Sequence, residues 1–293
     1  MSLRWFGYLI PSQHTPVSRR IWTSVLAMAV YASGVVLAEH FLFGDQINIH
    51  PNFHALLGAV LGLFLGFRTN TAYDRWWEGR KLWGQLVNES RNLAILAQAV
   101  PRIERTEALS FGRLVINFSR ALKEHLREGI RAKQLSLYKD AVFEPKHVPA
   151  HLTFQLREMV SLWAERKQID PLRELMFDRH LAALMDICGG CERIRRTPLA
   201  YSYITYIRQG IALYLFTLPW GLVHELDYWT IPAVMIVSYF MIGIETIAEE
   251  VEEPFGRSLD DLMLDDICKT IDSTVTEILN TQTSWSERPG KAK

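Results

Sequence analysis

Three groups of side chains in this 293-residue sequence have types and spacings suited to chemistry. Glu245, Glu249 and Arg208 lie in or at the edges of long apolar runs, where an ionisable group is costly and reads by default as part of a relay or binding site. Cys188-Gly-Gly-Cys191 has the spacing of half a zinc site, but no second Cys or His pair lies at a fitting distance and Cys268 stands alone. His147 and His151, two of nine histidines, lie four residues apart, flanked by prolines in a loop pattern. A Gly-rich phosphate loop, a nucleophile elbow and paired catalytic carboxylates are all missing from the sequence. The chain therefore reads as a non-enzyme, with no cofactor and no metal expected.

The elements that must position such groups follow from the distribution of charge. A formal net charge of zero and 22% charged residues describe an ordinary soluble protein, yet the charges come in blocks. Segments of about 21-43, 53-68, 203-226 and 228-248 approach the roughly 20 apolar residues needed to cross a bilayer. Lys and Arg sit on one side of these spans: Arg4, Arg19 and Arg20 before the first, Arg68, Arg75, Arg80 and Lys81 after the second, Arg193, Arg195, Arg196 and Arg208 before the third. The connections 44-52 and 224-229 have none. The charge rule then places both termini and the region of about 70-200 in the cytoplasm of a multi-pass protein of the inner (plasma) membrane. The first span reads as retained, because its exit "AEHFLFGDQ" offers no small-residue cleavage site.

The rest reads as helix, broken at Pro101, around 144-151, at Asp170-Pro171 and at Thr197-Pro198. Asn52 is a good N-cap for the second span, and nothing stops that helix before Pro101, so a rod of roughly 70 Å is expected. On its first half Gly58, Gly62 and Gly66 repeat every four residues, a face that lets helix backbones approach in lipid, whether within the subunit or beyond it. Beside it Ala59, Leu63 and Phe67 form an apolar stripe. The following strip "RWWEGRKLW" suits a membrane exit, where Trp and Arg anchor; nucleic-acid stacking has no support from a net charge of zero. Residues 280-293 read as a disordered tail behind a single domain of 1-279.

"FLGFRTNTAYDRWWEGRKLWG" (64-84), "GGCERIRRTPLAYSYI" (189-204) and "IETIAEEVEEPFGRSLDDLMLDDI" (244-267) resemble the signatures of the bestrophin family of ion channels, in its prokaryotic branch. The resemblance implies an all-α membrane protein of four transmembrane helices plus a large cytoplasmic helical region, assembled as a homopentamer around one central pore. It implies that Ala59, Leu63 and Phe67 line a hydrophobic neck, Ala59 being smaller than the bulky residue usual there. It places Leu172, after Asp170-Pro171, at a cytoplasmic aperture; the alternative is a helix start with Leu172 merely packing. In calcium-activated relatives the segment after "PFG" supplies clustered carboxylates for Ca²⁺. Here Asp260 and Asp261 remain while Arg257 and Ser258 replace acidic positions, so a degenerate calcium site is implied.

The partners expected are the bilayer, four copies of the same chain and permeant monovalent ions. A cation preference is expected, since Glu39, Asp45, Glu225 and Asp227 at the outer span ends have no balancing Lys or Arg. The alternatives are a chloride channel of the same architecture, a carrier using Glu245, Glu249 and Arg208, and a soluble helical scaffold.

Overall fold

The computed structural model describes residues 16-43, 50-100, 102-127 and 145-281. Arg4, Asp45 and nearly all of the expected tail lie outside the described residues. All regular structure among the described residues is helical: α1 Pro16–Ala38, α2 Pro51–Gln98, α3 Arg105–Arg127, α4 Val148–Glu165, α5 Pro171–Arg196, α6 Tyr201–Leu226, α7 Thr230–Glu252 and α8 Leu264–Asn280. A π-helical turn, Glu39–Phe43, extends α1, and a 3-10 turn, Asp227–Trp229, joins α6 to α7. The chain divides into two compact units, one of residues 1-76 with 198-261 and one of 77-197 with 262-293.

In the first unit three continuous stretches are long and apolar enough to cross a membrane: Val17–Leu42, Asn52–Gln98, which runs on into the second unit, and Tyr201–Glu252. The last is divided by the turn at 227-229 into α6, of 26 residues, and α7, of 23, which pack on each other and on α1. Their shared core contains Ala32, Leu61, Leu65, Ile207, Ile211, Leu215, Leu218 and Val234. Pro219 in α6 has no N–H to return to the Leu215 carbonyl, and the adjacent carbonyl, that of Phe216, accepts the Tyr31 hydroxyl at 2.9 Å. A backbone acceptor at that depth is satisfied within the protein, as hydrocarbon requires.

Helix α2 starts one residue earlier than expected. Pro51, favoured at the first helical position, opens it, and His50 caps it by accepting the Asn52 N–H on Nδ1 at 3.3 Å. Asn52 is therefore inside the first turn and is not the cap.

The second unit is a helical bundle in which α3 packs against α4, α5 and α8. Its sequence alternates so that one face is apolar, and Phe111, Leu114, Val115, Phe118 and Leu122 are all buried there. Phe111, Trp163 and Phe177 meet at ring-centroid distances of 5.2 to 5.7 Å, and Trp163 donates its indole N–H to Glu107 at 3.1 Å. The Cys188-Gly-Gly-Cys191 motif is packing: both thiols are buried, and Gly190 admits Leu82, whose methyl would lie 2.9 Å from an added Cβ. Burial pushes the Cys188 thiol up to about 12 and that of Cys191 further in the same direction, so both stay protonated.

Truncating Phe177 to Ala opens a cavity between Phe111 and Trp163 and should cost about 3 to 5 kcal/mol. The measurement is thermal unfolding of the detergent-purified protein, in which Phe154→Ala, at an exposed position of α4, should leave the transition almost unmoved.

Candidate functional site

Along the apolar half of α2, Leu61 and Leu65 face the core while Ala59, Leu63 and Phe67 face outward. Leu63 is 59% exposed and Phe67 55%. Of the three glycines on the neighbouring face, Gly58 lies against Tyr214, whose hydroxyl would be 3.0 Å from an added Cβ. A Cβ at Gly62 or Gly66 would meet nothing within 4 Å, so packing within the chain accounts for Gly58 alone. One turn of the helix thus carries a bare backbone groove and an uncovered apolar row side by side.

The row ends at a buried charge. Arg68 is 1% exposed and stands 3.4 Å from a Glu245 carboxylate oxygen and 3.8 Å from Glu252. Arg208 adds a 2.6 Å bond to Glu245 and a 2.9 Å pair with Glu249, whose other oxygen takes Arg20 at 2.7 Å. The residues that suggested a relay are therefore joined into one network of three arginines and three glutamates. The buried members, Arg68, Glu245 and Glu252, lie within 4 Å of opposite charge, although no nitrogen of the Arg68 side chain makes a hydrogen bond.

The acidic turn after α7 closes on itself. Asp261, almost buried, accepts the Ser258 N–H on Oδ2 at 2.5 Å, and Gly256 sits so close to that carboxylate that any Cβ would strike it. Asp260 offers its carbonyl to the Trp76 indole at 3.0 Å, and the Glu252 carbonyl accepts from Arg75 at 3.1 Å. A cavity of about 790 Å³ adjoins this turn, and Arg20, Arg68, Arg208 and Arg257 line it along with its carboxylates. Five carboxylates, Glu249, Glu250, Glu252, Glu253 and Asp261, face those four arginines, so the lining is close to neutral.

Several sequence-marked residues fall elsewhere. Leu172 is the second residue of α5, behind an Asp170 cap that accepts the Arg173 N–H at 2.9 Å, and its side chain is 70% exposed, so none of the described residues covers it. In the Trp-rich strip Trp83 is core, Trp76 is tied to the acidic turn, and Trp77 lies exposed beneath Lys81 at 5.8 Å. Glu39, expected as an open acidic group, is buried 3.8 Å from His224, whereas Glu225 and Asp227 are exposed. The imidazole of His147 meets His125 and Glu192, a grouping the sequence did not signal.

The sequence profile of the Bacterial/Fungal Bestrophin protein family matches residues 1–277. The chain belongs to the bestrophin family. A voltage-dependent anion channel-forming protein of Nostoc sp. is 38% identical over 228 residues, 75% of this chain and 74% of that protein. One so described from Ralstonia nicotianae is 30% identical over 299 residues, all of this chain and 95% of its own length. Crystal structures of a bacterial Bestrophin homolog from Klebsiella pneumoniae share the fold. One point mutant of it gives a TM-score of 0.82 at 23% identity over 92% of this chain and all of that one. Apolar helices of membrane length together with bestrophin membership make this a membrane protein.

Because this bestrophin spends Asp261 on its own turn, micromolar Ca²⁺ should leave its ion flux unchanged. Flux measured in proteoliposomes across a calcium titration checks this, and a calcium-dependent rise that disappears in Asp261→Ala would contradict it.

Proposed function

We propose that this protein is a homopentameric ion channel of the inner membrane, with four spans per subunit, both termini cytoplasmic and one domain over residues 1-279. Its spans are α1, the apolar half of α2, α6 and α7. Ala59, Leu63 and Phe67 of five subunits form its hydrophobic neck, and Leu172 forms a second, cytoplasmic constriction. The observation that carries this reading is the uncovered row on a membrane-length helix in a bestrophin chain. Five apolar side chains around an axis offer a permeating ion nothing in exchange for its water, so a narrow ring stops conduction by dewetting. The bare groove at Gly62 and Gly66 supports close approach of a neighbouring subunit's helix. A carrier built on Glu245, Glu249 and Arg208 has less support, since those charges are already bonded to one another.

For the permeant ion, the names of the relatives support anions and displace the expected cation preference. That preference is further weakened because Glu39 is buried beside His224. A cation reading keeps support from the exposed Glu225 and Asp227. The reversal potential of purified protein in a planar bilayer under a salt gradient separates the two: anion conduction shifts it towards the chloride equilibrium potential, cation conduction the opposite way.

Leu63→Ala and Phe67→Ala each remove bulk from five positions at once, so conductance or open probability should rise while the ion preference is kept. Leu57→Ala, half-buried against the core of the first unit, should leave single-channel current unchanged. If Phe67 were instead a packing residue, its truncation would cost roughly 3 to 5 kcal/mol per site and the assembly would fail. Native current from intact pentamers of both stripe variants would sink the assignment.

A further inference from the structure

In the second unit three helices bring together side chains that the channel reading does not use. His125 is in the last turn of α3, His147 is the N-cap of α4, and Glu192 is near the end of α5. Glu192 Oε1 is 2.6 Å from His125 Nε2 and 3.0 Å from His147 Nε2, and all three ligand atoms lie within 4.8 Å of one another. The rings stand 4.8 Å apart, and each side chain is partly buried. From this convergence we propose that His125, His147 and Glu192 bind a zinc-class transition-metal cation that ties α3, α4 and α5 together.

The donor set selects the class of metal. Two imidazoles and one carboxylate suit Zn²⁺ and its first-row neighbours, whereas Mg²⁺ and Ca²⁺ prefer oxygen ligands throughout. Three protein ligands leave a fourth tetrahedral position for water. The thiols of Cys188 and Cys191 are buried and lie outside the trio.

Without metal the geometry is a hydrogen-bonded arrangement. His147 Nδ1 accepts the Ala150 N–H at 3.1 Å, so the proton of a neutral ring sits on Nε2 and is donated to Glu192. For Nε2 to bind metal, that proton moves to Nδ1, and the Ala150 N–H loses its acceptor. The proton only changes nitrogen, so a neutral ring stays neutral and none is lost. This exchange gives binding a signature independent of channel activity: metal entry uncaps the start of α4.

The test uses the full-length protein, stripped with chelator in detergent, titrated with ZnCl₂ and then desalted, with bound zinc counted by elemental analysis. About one tightly held zinc per chain is expected, the stoichiometry of one site with three protein ligands. It should be lost in His125→Gln and Glu192→Gln and be unaffected by excess Mg²⁺. His180→Gln is the control, because His180 and Glu89 make a similar half-buried pair, 2.5 Å apart, with no third ligand among the described residues. Zinc should also speed amide exchange at Ala150. Equal zinc in the wild type and His125→Gln, or none in the wild type, overturns the site, and bound zinc with unchanged Ala150 exchange overturns the role of His147. Should Glu192→Gln fail to fold, as judged by circular dichroism, His125→Gln decides alone.

Discussion

The structure of the first unit turns on how Arg68 is buried. A guanidinium at 1% exposure beside an apolar core is tolerable only when negative charge surrounds it, and Glu245 and Glu252 of α7 supply that charge. Since Arg68 directly follows the last apolar residue of the α2 stripe, the pairing fixes where that stripe ends. It also holds α7 against the end of the apolar half of α2, while Arg208 draws in α6 through the same Glu245 and Arg20 draws in α1 through Glu249. Removing one partner would leave an uncompensated charge, which costs far more than the pair contributes. The network therefore acts mainly to fix helix register.

With that register set, the outward face of α2 follows. Leu61 and Leu65 are committed to Ile207, Ile211 and Leu215, and the 3.6-residue period then turns Ala59, Leu63 and Phe67 away from the core. In water such a surface would be a liability. On a membrane-length helix it is a surface for hydrocarbon, for a neighbouring subunit or for the lining of a dewetting constriction, and the adjoining open glycines favour the subunit-bound arrangement.

How much of this was legible beforehand depended on range in the sequence. The apolar helices and helix breaks were readable because hydropathy and proline act locally: α2 ends at Gln98 ahead of Pro101, and α5 starts at Pro171 behind the Asp170 cap. The stripe was readable because its residues share one helix. Contacts distant in sequence were not: Glu192 lies 67 residues from His125 and 45 from His147, and no spacing rule links them. Glu39 looked like an open mouth charge until α6 placed His224 beside it. The roles of Trp76, Trp77 and Trp83 also differ with their helical phase in a way composition conceals. The Asp261 turn was half legible, since Arg257 and Ser258 marked a weakened cation site but not the Ser258 N–H that Asp261 accepts.

The central claim is that the Leu63 and Phe67 row meets water inside an assembled pore and does not face lipid. Substituted-cysteine accessibility tests it directly, because the native Cys188, Cys191 and Cys268 are buried and give a silent background. A charged, membrane-impermeant thiosulfonate reagent applied during recording should modify Leu63→Cys and Phe67→Cys and change the current irreversibly, while the wild type stays unaffected. Current and labelling unchanged at both positions, in channels that still conduct, would place the row in hydrocarbon and contradict the account.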